Sequence, residues 1–141
     1  MSRDNYHNLY SNDGSDLVNI PELCRKIVVE LGDLLYPRDK IIEENNRKYF
    51  VLQNGKKLEI NDTDRNYKNK LMSFIDFKVS GNTQKQLFIT DLEIIFNSIL
   101  KFSDFISKLS HIRELSEENK KPIISLAIRV IIFIGDLLYF Y

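Results

Sequence analysis

The stretch 122–141 constrains this chain more than any other feature. It opens with Pro122, is built largely of Ile, Leu, Val and Phe, and is interrupted by Arg129 and Asp136. Roughly 20 apolar residues suffice to cross a bilayer. An Arg or Asp at the centre of a span, however, costs about 2.5–3.5 kcal/mol on insertion scales. Ser125, Arg129, Ile132 and Asp136 also recur along one stripe of a helix. A polar stripe on an apolar rod predicts the central helix of a soluble bundle with one edge reaching water. A tail anchor is the alternative.

The remaining elements follow from local signals. Residues 1–16 are polar and are expected to form a flexible tail, leaving 17–141 as one domain. A first helix is expected from Asn19, with Asn19 and Glu22 as a capping box and Pro21 in the first turn. Its apolar stripe reads Leu23, Ile27, Leu31 and Leu34 or Leu35, and Pro37 ends it. Asn54-Gly55 predicts a type I′ hairpin. A two-residue loop pairs Val51 with Leu58 and Tyr49 with Ile60, which puts those four on one face and Phe50, Leu52, Lys57 and Glu59 on the other. The alternation Ile75, Phe77, Val79 suggests a third strand before Gly81-Asn82, with a helix through Leu71, Phe74 and Ile75 as its competitor. Thr90 and Glu93 form a second capping box, heading a stripe from Leu92 to Leu109 and ending near His111 and Arg113. The expected fold is α+β. Three long helices dominate, with a small antiparallel hairpin or three-stranded meander inserted between the first and second.

One internal echo stands out. Residues 27–36 (IVVELGDLLY) resemble residues 130–139 (VIIFIGDLLY). Two copies do not make a repeat protein. Glycine inside a helix costs about 1 kcal/mol relative to alanine, so Gly32 and Gly135 suggest close approach of helices.

Composition narrows the setting. The chain has 141 residues, 43% apolar and 28% charged, which is globular composition for a single domain. Ala127 is the only alanine and tryptophan is absent, while Asn, Ile, Lys and Tyr are abundant, the usage of an AT-rich genome. Cys24 is the only cysteine and the start, MSRDNYH, lacks an apolar leader segment, so a cytoplasmic or otherwise intracellular setting is expected. Net charge is zero but unevenly spread: residues 47–85 hold nine Lys/Arg against four Asp/Glu, while both flanks are acidic.

Catalytic signatures are missing from the chain. His7, His111 and Cys24 cannot build a usual zinc site. Residues 62–66 begin like a calcium loop, but Tyr67 stands where the glycine is required and Ser73 where the glutamate is. No phosphate loop, dinucleotide fingerprint or nucleophile elbow occurs. Cys24 on an amphipathic helix reads as a small buried thiol. No enzyme activity and no cofactor are expected. The leading expectation is a regulatory or accessory factor that binds another protein or itself as a homodimer, through Phe133, Leu137, Leu138, Phe140 and Tyr141. The alternative is a nucleic-acid-binding factor. Arg47, Lys48, Lys56, Lys57, Arg65, Lys68 and Lys70 would contact phosphates or an acidic partner, with Tyr49 and Tyr67 interleaved to stack on bases.

Overall fold

A computed structural model describes residues 15–108 and 117–141. A helical turn, Ser15–Val18, leads into α1 (Ile20–Leu35). Three short strands follow, β1 (Ile42–Glu44), β2 (Arg47–Val51) and β3 (Lys57–Ile60), forming an antiparallel sheet in chain order. Three helices complete the fold: α2 (Tyr67–Lys78), α3 (Asn82–Lys108) and α4 (Glu117–Leu138). The architecture is mainly helical α+β, with the meander between the first two long helices, as the sequence predicts. Of the expected tail, residues 1–14 lie outside the described residues, as do His111 and Arg113.

α1 stops where expected. Tyr36 is extended, with ψ 142°, because Pro37 crowds a helical conformation in the residue before it. α1 also starts where expected, at Ile20, but without the capping box: Asn19 is itself helical and makes no side-chain cap. The buried stripe is also turned by about one position. Cys24, Val28, Leu31 and Leu35 face the core, while Leu23, Ile27 and Leu34 are exposed. Both stripes have helical spacing, and only contact with the other helices chooses between them.

The hairpin exists in a different register from the one its turn signal suggests. Phe50 pairs with Leu58 and Lys48 with Ile60. The loop has three residues, Gln53 to Gly55, closed by the Gly55 N–H donating to the Leu52 carbonyl at 2.9 Å. Gly55, at φ +90°, takes the left-handed position of that loop. One residue of slip exchanges the faces, so Phe50 and Ile60 are buried while Val51 is exposed. The buried Asp76 carboxylate holds the longer loop, accepting from the Gln53 N–H at 3.0 Å. The two-residue turn lies instead at Asn45-Asn46, with φ of 52° and 65°, between β1 and β2. β1 is therefore the third strand.

Residues 75–79 are not a strand. Leu71, Phe74 and Ile75 are buried on one face of α2, and Phe77 is exposed. The helix wins because that face meets α1 and α3 together, whereas a strand would expose half of these side chains. Thr90 is no cap, since α3 starts at Asn82 and the Thr90 hydroxyl donates back to the Gln86 carbonyl at 2.9 Å. α4 likewise begins before Pro122. Val28, Phe74, Leu92, Ile95, Val130 and Phe133 form the centre of the core. Deleting a ring such as Phe74 from it would cost about 3–5 kcal/mol.

Candidate interaction surface

Charge in the middle of the chain is largely used internally. Lys70 is buried and its Nζ lies 2.6 Å from Asp33 Oδ1. Lys85 is buried too, donating to the Asp76 carbonyl at 3.1 Å and lying 3.4 Å from its carboxylate. On the sheet, Lys57 meets Glu44 at 2.7 Å and Arg47 lies 3.9 Å from Glu59. Lys48 stands opposite Glu43 across the strands. Lys68 places its ammonium 4.9 Å above the Phe96 ring. Lys48, Lys56 and Arg65 are exposed, and Tyr49 is half-buried beside Lys57. The sheet thus shows interleaved cations and carboxylates rather than a basic ribbon.

Tyr67 belongs to the core. Burial pushes its phenol up to about 12, and its hydroxyl has no hydrogen-bond partner among the described residues. Cys24 is buried and its thiol is likewise pushed up by loss of solvent, which disfavours the nucleophilic thiolate. Among the described residues, no three or more His, Cys, Asp or Glu side chains are grouped to hold a metal ion.

α4 divides differently from expectation. Ile123, Leu126, Val130, Phe133 and Leu137 form its buried stripe. Phe133 and Leu137 are therefore core residues, and Phe140 is half-buried against the Phe88 ring at 5.7 Å. Leu138 and Tyr141 remain exposed. Ser125, Arg129, Ile132 and Asp136 do reach the surface as the polar stripe predicts. The exposed sector is much wider than that stripe, however. Ile124, Ile128, Ile131 and Ile132 are all exposed, Ile131 by 69%, and Tyr139 by 86%. Apart from Ile132, these residues went unread because the polar stripe marks only one edge of the outer face, and the apolar residues beside it give no sign of how wide that face is. The signal lay in the 123, 126, 130, 133, 137 spacing, which fits one face as well as any other. Among the described residues, no helix is long and apolar enough to cross a membrane.

Next to this sector, α3 and α4 leave a cleft of about 590 Å3. Leu87, Phe88 and Asp91 line it from α3, and Gly135, Asp136 and Tyr139 from the end of α4. Asp91 is answered by Arg129 at 3.5 Å. Asp136 has no ion pair among the described residues. Comparison with known proteins found no matching family model, no similar curated protein and no similar solved structure.

Proposed function

We propose that this chain is a non-enzymatic interaction factor that docks a protein partner on the outer face of α4. The observation that carries the reading is the run of exposed Ile124, Ile128, Ile131, Ile132 and Tyr139 along a single helix. Scattered exposed apolar residues are ordinary, but a continuous helical stripe of them is costly in water unless something covers it. Leu23, Ile27 and Leu34 add exposed apolar surface on α1, which packs against α4. Binding of nucleic acid by the sheet has weaker support, because Glu43, Glu44 and Glu59 interleave with its cations.

The test is photo-crosslinking from a reactive residue placed at Ile131, with Lys56 on the sheet as the control site, in extract of the native cell. A discrete protein adduct from position 131, lost when Ile128→Glu is added and absent from position 56, is the expected result. Equal adducts from both positions, or none from 131, would remove the reading.

A further inference from the structure

Residues Val29, Gly32, Asp33 and Tyr36 of the first echo segment share one helical face, as do Ile132, Gly135, Asp136 and Tyr139 of the second. Both tyrosines fall just beyond the last helical residue, Leu35 in α1 and Leu138 in α4. On α1 this face is covered by α2. A Cβ built on Gly32 would lie 3.4 Å from the Tyr67 Cα and 3.3 Å from the Lys70 Cβ, so any side chain there would push the two helices apart by a few tenths of an ångström. Lys70 then reaches along α1, pairs with Asp33 at 2.6 Å and sits 5.5 Å above the Tyr36 ring. On α4 no described residue covers the same face. A Cβ on Gly135 would meet nothing within 4 Å, and Ile132, Asp136 and Tyr139 are exposed. Among the described residues, Gly135 meets no packing neighbour and Asp136 no cation.

We infer that this face of α4 receives a helix from another protein. The incoming helix crosses at Gly135 and carries a lysine or arginine that pairs with Asp136 and lies over Tyr139, as α2 does on α1. The inference rests on the interaction reading above and names the partner's chemistry. Charge complementarity favours a foreign helix over a second copy. In a two-fold pair of α4 helices the nearest cation on this stripe is Arg129, which Asp91 already engages at 3.5 Å. The cleft beside Gly135, walled by Leu87 and Phe88, gives the apolar side of such a helix a place to lie.

The probe is a synthetic peptide with the sequence of Tyr67–Lys78, the one helix known to fit such a face, titrated into the isotope-labelled full chain and followed by NMR. Expected are shifts at Gly135, Asp136 and Tyr139. Affinity should fall about tenfold with the Lys70→Glu peptide or with Asp136→Lys in the protein, and recover when the two reversals are combined. Gly135→Leu should abolish the shifts, and because an added Cβ meets no described neighbour within 4 Å, the rest of the spectrum should keep its folded dispersion. Binding that ignores both charge reversals, or shifts confined to α1, would overturn the proposal. So would a dimer by light scattering that Gly135→Leu dissolves, because the face would then belong to a second copy. If the Ile131 adduct persists while the peptide fails, the cationic-helix proposal falls and the interaction reading stands.

Discussion

The helical core and the sheet handle charge in opposite ways. In the core, Lys70 and Lys85 are each buried against one carboxylate that lies on another helix or at its end. On the sheet, Lys57 and Glu44, or Arg47 and Glu59, are both open to water and meet across strands. A buried cation that loses its partner is left as an uncompensated charge, which costs several kcal/mol. An exposed pair is solvated whether or not it forms, so it contributes little. Equal numbers of cations thus carry unequal weight, and a charge count along the chain does not separate them.

Asp76→Ala should break this contrast most severely. It strands Lys85 and frees the Gln53 loop, so urea denaturation should show a loss of about 3–5 kcal/mol. An unfolding midpoint close to that of the unmodified chain would mean that Lys85 finds water. High pH is the next lever. Tyr67 ionises near its ordinary value of 10.0 in the unfolded chain but only near about 12 when folded. Between those limits the folded state holds the extra proton, so stability falls as pH rises, by about 2–3 kcal/mol in all. Tyr67→Phe should remove that part of the alkaline loss, and at neutral pH should leave stability unchanged or raise it by up to about 1 kcal/mol. Thermal melts of both chains from pH 8 to 12 check the sign.

Lys70→Ala should cost about 1–2 kcal/mol in urea, less than Asp76→Ala, because the abandoned Asp33 is half exposed and can be hydrated. Lys57→Ala should change stability by no more than about 1 kcal/mol, with an effect that fades in added salt. The same logic sharpens the electrostatic comparison. Glu43→Lys, Glu44→Lys and Glu59→Lys together should give the sheet salt-dependent affinity for nucleic acid in a filter-binding assay that the unmodified chain lacks. Tight binding by the unmodified chain would show that its paired carboxylates do not neutralise the sheet.

Much of the architecture was legible in the sequence because it depends on local chemistry. Pro37 marks the end of α1, Asn54-Gly55 marks a loop, and the mainly helical α+β class follows from the order of these elements. What escaped depends on contacts made at a distance. Asp76, which is 23 positions from Gln53, fixes a three-residue loop in place of the two-residue one that Asn-Gly chemistry favours. Asn45-Asn46 supplies the tighter turn, but the adjoining Glu43-Glu44 reads as solvated connector. Leu71, Phe74 and Ile75 suit a helix while Ile75, Phe77 and Val79 suit a strand, and only packing against α1 and α3 decides. The exposed face of the last helix was legible in part. Leu138 and Tyr141 are exposed, but Phe133 and Leu137 turn inward, and Ile124, Ile128, Ile131 and Ile132 turn outward.

The meander has two edges, and they are not alike. Along β3, Asn66 and Asn69 of the segment entering α2 donate to the Glu59 carbonyl at 2.9 and 3.0 Å, so that side of the sheet is occupied. β1 faces outward with only three residues, two of them glutamates. A strand that short offers few ladder bonds to a passing chain, and its carboxylates repel an identical neighbour. Edge-to-edge pairing of two copies along β1 is therefore disfavoured, which is how a short charged edge guards a small sheet against growing by addition of further strands.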